Sequence, residues 1–335
     1  MVDSSGPISN LADLAKVAGV SVSTVSRALA GNVIISAETR ERITELARAH
    51  GFRPNQLARN LRLKRTHAIG VVLPLGHEVG QHLSDPFFLT MLGHLADAVT
   101  ERGYDLLLSR VIPADDDWLD QQVDSGRTDG LIVIGQSDQA AVLDRVAARY
   151  RPLVVWGASL AGQVHCSVGT DNRLGGAMAA RRLIETGRRR LAFLGSPEAP
   201  EIGQRHAGFA QACAAAGITV ETVPVHLTAD LAYPAIAERL AQGAPPDGIF
   251  TASDVVAMAA LRALGEAGLR VPDDVAVIGF DDVPLAAHTG PPLTTIRQDT
   301  ARGAGLLVDL LLRRLGGEAA ESLVLPPELV VRGSA

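Results

Sequence analysis

Asn10-Leu-Ala-Asp-Leu-Ala-Lys-Val-Ala-Gly-Val-Ser-Val-Ser-Thr-Val-Ser-Arg27 opens the chain with two short helical periods joined by a glycine. Asn10 is placed to cap the first, and Leu11, Leu14, Ala15 and Ala18 recur on one face at helical spacing. Gly19 supplies a sharp turn, and Ser21 can cap a second helix running through Val25 to about Ala30. Small Ala15, bendable Gly19 and apolar Val25 stand where two helices crossing steeply over a tight turn need such residues. The pattern is a helix-turn-helix. Its second helix leaves Val22, Ser23, Thr24, Ser26 and Arg27 outward, short side chains and one guanidinium suited to phosphate oxygens and base edges.

The next residues extend this unit. Ser36, with Thr39 and Glu41 behind it, opens a third helix that turns Ile43, Leu46 and Ala47 inward and ends at Gly51. Pro54 restarts the chain, and Asn55 to Leu61 has the length of two helical turns. So short a helix is marginal alone in water and is expected to form only when DNA or a partner holds it. Ala18-Gly-Val-Ser-x-x-Thr-Val-Ser-Arg27, Ser36-x-x-Thr-Arg40 and Arg53-Pro-Asn-x-x-Ala-Arg-x-Leu61, in this order and spacing, resemble the lactose/galactose-repressor family of bacterial transcriptional regulators. The likeness runs on through Asp85-Pro-Phe-Phe88, Thr170-Asp-Asn172 with Gly175, Arg205-His-Ala-Gly-Phe209, Ala252-Ser-Asp254, Gly268 to Asp273, Gly279-Phe-Asp-Asp282 and Pro292 to Asp299. It covers essentially the whole chain.

Charge divides the chain in the same place. Residues 1–65 hold ten Lys/Arg against five Asp/Glu, whereas the full 335 residues carry a net charge of −6, which leaves −11 on the remainder. A basic head on an acidic body directs polyanion binding to the head. No basic region followed by an apolar run marks a secretory signal, and no stretch of apolar residues is long enough to span a membrane, so a cytoplasmic protein is expected. Cys166 and Cys213 are too few for a disulfide framework, and His165 and His206 lack the paired spacing of a zinc site. Both cysteines read as small buried side chains, and the Asp115-Asp-Asp117 run as a solvated loop rather than a metal cluster.

From residue 66 short apolar runs alternate with helical periods, the signature of α/β architecture with buried parallel strands. Strands are expected at 68–74, 103–109, 130–135, 152–157, 190–195, 248–252 and 275–280, and helices at about 86–102, 175–186, 204–216, 255–267 and 302–315. Two such sets in tandem predict two doubly wound lobes, each exposing strand C-termini where a ligand can sit. The resemblance implies the same: a small all-α headpiece (1–53), a hinge helix and linker (54–66), and a two-lobe, periplasmic-binding-protein-like body (67–335). It places the first lobe at about 67–165 plus 293–318 and the second at about 166–292 plus 319–335.

By that resemblance a homodimer grips a pseudo-palindromic double-stranded operator, with Val22, Ser23 and Arg27 nearest base edges and Asn10, Ser21, Thr24, Ser26 and Asn32 anchoring phosphates. Asn55, Gln56, Ala58, Arg59 and Leu61 would lie in the minor groove, Leu61 as an apolar wedge, while Arg62, Lys64 and Arg65 add unspecific attraction. In the body Arg205 and Asp254 form the expected donor and acceptor for a small-molecule effector, and Phe87, Phe88 and Trp156 its apolar walls. Phe88 reads equally as core, and Asp281 and Asp282 as ligand contacts or loop caps. Gly157 and Ser253 depart from many sugar-binding relatives, which carry Asp and Asn there, so a sugar effector is expected but a nucleobase or another metabolite stays open. No cofactor, metal or membrane is expected. With no G-x-S-x-G elbow, phosphate loop or dinucleotide fingerprint, an enzyme is not expected either. The rival reading is the solute-binding protein of a transport system with a helical extension. The C-terminus shows no heptads, so a tetramer built on a terminal coiled coil is not expected.

Overall fold

A computed structural model describes residues 8, 10–31, 33–52, 65–75 and 80–335. Asn32, Asn55, Gln56, Ala58, Arg59, Leu61 and most of the expected hinge lie outside the described residues. The chain forms two compact units, Met1–Thr66 and His67–Ala335.

Among the described residues of the first unit there are three helices: α1 (Leu11–Ala18), α2 (Val22–Leu29) and α3 (Ala37–Ala49). Each starts at the expected cap. Asn10 Oδ1 accepts from the N–H groups of Ala12 and Asp13, Ser21 Oγ from Thr24 and Ser36 Oγ from Thr39. Gly19 takes φ 66°, the left-handed conformation that ends α1 and starts the turn. Leu14, Val25 and Ile43 are fully buried and bring one residue from each helix to a common centre, with Ala15, Ala18, Ala28 and Ala47 filling around them. Arg42 Nη1 donates to the Ala18 carbonyl at 3.0 Å, so one headpiece cation serves the end of α1.

The body is built from strands β1 (Ala68–Pro74), β2 (Asp105–Val111), β3 (Gly130–Ile134), β4 (Leu153–Trp156), β5 (Cys166–Thr170), β6 (Leu191–Leu194), β7 (Glu221–Val223), β8 (Gly248–Thr251), β9 (Ala276–Asp281), β10 (Thr294–Arg297), β11 (Leu323–Leu325) and β12 (Glu328–Val330). They form two six-stranded sheets, ordered β11-β5-β4-β3-β1-β2 and β12-β10-β9-β8-β6-β7. All pairings are parallel except β10 with β12.

This pairing corrects the expected lobe boundaries. β5 belongs to the first sheet, so that lobe runs to Thr170 rather than about 165. β10 belongs to the second, which keeps residues 293–297 there, and β11 returns 323–325 to the first. A run of three to five apolar residues reads alike in either sheet, and only its hydrogen-bonding partner assigns it. The chain therefore passes between lobes after β5, after β10 and after β11. The helix Thr300–Leu315 packs Ala304, Leu307, Val308 and Leu311 onto the first lobe, as the resemblance implies.

In the second lobe the helices Asn172–Glu185 and Pro200–Ala215 cross at Gly176 and Gly208. A Cβ on Gly176 would fall 2.0 Å from the Arg205 carbonyl oxygen, and one on Gly208 2.0 Å from that of Arg173. Backbone opposes backbone there, so neither methyl can be accommodated by a rotamer change. Gly208→Ala should push the Arg205 helix outward and cost about 1–3 kcal/mol by overpacking. Equilibrium unfolding in urea checks this, and a midpoint equal to wild type would contradict it.

Candidate functional site

A cleft of about 100 Å³, open to solvent, lies between the two lobes. Leu75, Ile134 and Trp156 reach it from the ends of first-lobe strands, and Ser253 and Asp281 from the ends of second-lobe strands. Both sheets thus present their carboxyl ends, where doubly wound folds bind ligands.

Arg205 dominates the cleft. Its Nε donates to Asn172 Oδ1 at 2.9 Å and its Nη1 to the Ala252 carbonyl at 2.5 Å, while Nη1 lies 3.9 Å from Asp281 Oδ1. Its Cζ sits 3.7 Å above the Phe280 ring centroid. Burial draws the guanidinium below its ordinary pKa, opposed by the carboxylates of Asp281, Glu201 and Asp254. The stacking and the two hydrogen bonds fix the plane of the fork. Among the described residues Nη2 has no hydrogen-bond partner.

The two acids behave differently. Asp281 lines the cleft with φ 117°, a conformation an aspartate adopts only under constraint. The constraint comes from Asp282 beside it, which pairs with Arg297 at 2.7 Å and Arg332 at 2.6 Å. Asp282 is therefore a structural anchor. Burial pushes the Asp281 carboxyl up to about 7, against the lowering effect of Arg205 and of the Gln298 amide, which donates to it at 2.7 Å. Asp254, the expected acceptor, is instead fully buried and absent from the cleft lining. Its Oδ1 accepts from the Thr295 hydroxyl at 2.5 Å and its Oδ2 from the Val283 N–H at 2.9 Å. Gly279 must be bare, since a Cβ there would come 2.1 Å from Asp254 Oδ1. In this structure Asp254 ties the ends of neighbouring strands together, and Ser253 takes the position on the cleft.

The aromatic walls are where the sequence puts them. Phe87, Phe88 and Trp156 all line the cleft. Phe88 and Trp156 are also part of the first-lobe core, while Phe87 packs against cores of both lobes. Gly303 makes room for Trp156, because a Cβ there would lie 2.3 Å from its ring. The structure adds polar residues that sequence reasoning passed over: Gln81, Asp85, Ser137, Glu201 and Gln298. Asp85 caps the helix Pro86–Glu101 through the Phe87 N–H and accepts from Gln81, and burial raises its carboxyl. Glu201 was missed because its helix starts at Pro200, four residues before the expected Gln204. Proline at the first helical position was the available signal.

On the headpiece, Ser21, Val22, Ser23 and Arg27 are exposed on α2, Thr24 and Ser26 half-buried. Val22 keeps 44% of its surface. Ser21 Oγ also contacts the hydroxyls of Ser23 and Thr24, each at 2.8 Å, so these three hydroxyls form one cluster at the N-terminus of α2. That is the end of a helix that favours an anion.

Comparison with known proteins agrees with this layout. Residues 10–55 match the bacterial regulatory proteins of the lacI family, and residues 180–335 a periplasmic binding protein-like domain. The HTH-type transcriptional regulator CelR of Thermobifida fusca is 32% identical, over 96% of this chain and 96% of its own. The solved complex of the transcriptional regulator CelR with cellobiose superposes with a TM-score of 0.71 at 32% identity, covering 98% of this chain and all (100%) of the other. The lac repressor dimer bound to operator and the anti-inducer ONPF gives 0.85 at 26% identity, covering 97% and 98%. A DNA-reading headpiece has no place in a transport solute-binding protein, and that alternative falls. Among the described residues no helix is long and apolar enough to cross a membrane. With a helix-turn-helix capped at Asn10 and Ser21 and a two-lobe body closed around Arg205, this chain is a sequence-specific DNA-binding transcriptional regulator belonging to the lacI family.

Proposed function

We propose that the protein is a cytoplasmic, homodimeric repressor of sugar-utilisation genes whose operator affinity is set by an uncharged sugar bound between the lobes. The observation that carries this reading is the Arg205 fork, locked over Phe280 with one edge uncommitted and facing a cleft walled by Phe87, Phe88 and Trp156. Planar donors with aromatic faces suit the hydroxyls and the apolar face of a pyranose. The cellobiose held by the similar CelR structure supports a disaccharide. No chemistry is asked of the site, only recognition and a change in lobe geometry.

Binding between lobes favours their closed arrangement and biases the paired headpieces for or against the operator. Each recognition helix would enter one major groove of a two-fold site, with Val22, Ser23 and Arg27 at the bases and Asn10, Ser21, Thr24 and Ser26 at phosphates. Asn32, Asn55, Gln56, Ala58, Arg59 and Leu61 complete the proposed DNA contacts. The test is fluorescence anisotropy of DNA from upstream of the protein's own gene, at fixed near-physiological salt, with mono- and disaccharides and free purine bases as effectors. Tight binding altered by a sugar supports the reading; a response to purines alone overturns the sugar.

Replacing Val22 and Ser23 together should change which operator is selected, each lost base contact costing about 1–3 kcal/mol of discrimination. Selection from a random-sequence pool checks this. Recovery of the wild-type site by the variant would remove these residues from base reading.

A further inference from the structure

Glu201 stands in the first turn of the helix Pro200–Ala215, which belongs to the second lobe, yet its Oε1 accepts the backbone N–H of Gln136 in the first lobe at 3.2 Å. One turn on, Gln204 Nε2 donates to the Ser159 carbonyl, also across the cleft, at 3.0 Å. Arg205 follows on the same face of the helix. One helix edge thus carries two bridges between lobes and the guanidinium of the cleft.

The receiving surface is built for this carboxylate. Gly157 follows β4 without a side chain, and a Cβ there would lie 2.7 Å from Gln136 Cγ and 3.0 Å from Glu201 Oε1. The bare backbone leaves that volume to the two side chains. Gln136 is held rigidly: its amide nitrogen contacts the Ala158 carbonyl and His165 Nε2, both at 2.9 Å, and His165 Nδ1 meets Asp144 Oδ1 at 2.6 Å. Glu201 Oε2 has no hydrogen-bond partner among the described residues, and Glu201 lines the cleft. Among the described lining residues Asp85, Glu201 and Asp281 stand against Arg205 as the one guanidinium.

We propose that Glu201 is the specificity-determining acceptor of the cleft, delivered by the second lobe onto the first, and that it selects uncharged polyhydroxy ligands over anionic ones while latching the lobes. Its Oε1 holds the Gln136 N–H and its Oε2 takes a ligand hydroxyl, so the ligand completes a contact that exists only when the lobes are together. This rests on the proposed sugar reading. A carboxylated sugar would add a negative charge to a cleft already lined by the carboxyl groups of Asp85, Glu201 and Asp281.

The test compares cellobiose with its aldonic acid, cellobionate, by calorimetric titration of the full-length protein. Wild type should prefer cellobiose by about tenfold or more. Glu201→Gln keeps an oxygen for the Gln136 N–H but loses the charge; it should weaken cellobiose binding about tenfold and narrow the preference by a similar factor, as loss of a charged hydrogen bond does. Glu201→Ala loses the bridge as well, and should weaken binding further and enlarge the radius of gyration in solution scattering with cellobiose present. A far-ultraviolet circular dichroism spectrum and a urea-unfolding midpoint equal to wild type certify that both variants are folded. Equal weakening toward both sugars, with the preference intact, would reduce Glu201 to a structural bridge and overturn its selective role. A wild-type protein that binds neither cellobiose nor any other sugar sinks the sugar reading itself, whereas a wild-type binder matched by Glu201→Gln sinks this assignment alone.

Discussion

Arg205→Ala should leave a protein that binds its operator but no longer responds to its effector. Four groups depend on this side chain: the Asn172 amide oxygen, the Ala252 carbonyl, the Asp281 carboxylate and the Phe280 ring. Truncation removes the donor edge that a ligand would use and leaves buried acceptors unmatched, so effector affinity should fall by about a hundredfold or more. Removing one partner of a buried charge pair should also destabilise the body by about 3–5 kcal/mol. Arg205→Lys keeps the charge but not the planar fork, and should rescue stability better than binding.

The destabilisation carries a pH signature. Asp281 is raised by burial to about 7, and Arg205 is the cation that opposes the rise. An acid whose folded pKa lies above its unfolded value contributes most to stability while protonated, and loses that contribution as pH rises through the folded pKa. Without Arg205 the folded pKa climbs further, and ionising Asp281 becomes costlier. The variant's deficit relative to wild type should therefore be larger at pH 8 than at pH 5.5 in urea unfolding. A deficit independent of pH would separate Asp281 from Arg205, and a preserved effector response in operator titrations would remove Arg205 from the effector site.

Leu14→Ala should abolish operator binding while sparing the body. Leu14 is fully buried at the meeting point of the three headpiece helices. Loss of such a side chain costs about 2–5 kcal/mol, and a unit of this size has little stability in reserve. The recognition surface of α2 exists only while α1 and α3 hold it, so unfolding the headpiece removes base and phosphate contacts together. Operator affinity should drop by about a hundredfold or more. Effector binding, which belongs to the separate unit 67–335, should be unaffected. Anisotropy and calorimetry on the same preparation test both halves. Retained operator affinity would show that the headpiece core tolerates the cavity, and lost effector binding would show that the units are not independent.

The headpiece was legible because its signals are local. A cap, a left-handed glycine and a helical apolar stripe each act within a few residues, and Asn10, Gly19, Ser21 and Ser36 do in the structure what their positions predict. The same holds for β1, whose expected bounds of Ala68 and Pro74 are those observed. The cleft was legible in its aromatic walls and in Arg205. Its acids were not. Asp254 follows one second-lobe strand and Asp281 ends another, yet Thr295 and Val283 claim the first, while the strained backbone held by Arg297 and Arg332 presents the second to the cleft. Gly157 read as a lost polar contact, but it is the opening that admits Gln136 and Glu201.

By itself the sequence determined the helix-turn-helix, the alternation of strands and helices, the basic head on an acidic body and the family, since each is written in spacing, composition or contiguous motif. The tertiary structure decided which sheet receives β5, β10 and β11, which carboxylates face the cleft and which residues cross between lobes. Those depend on pairings between residues tens to hundreds of positions apart. A hydrogen-bond partner at that separation leaves no trace in local periodicity.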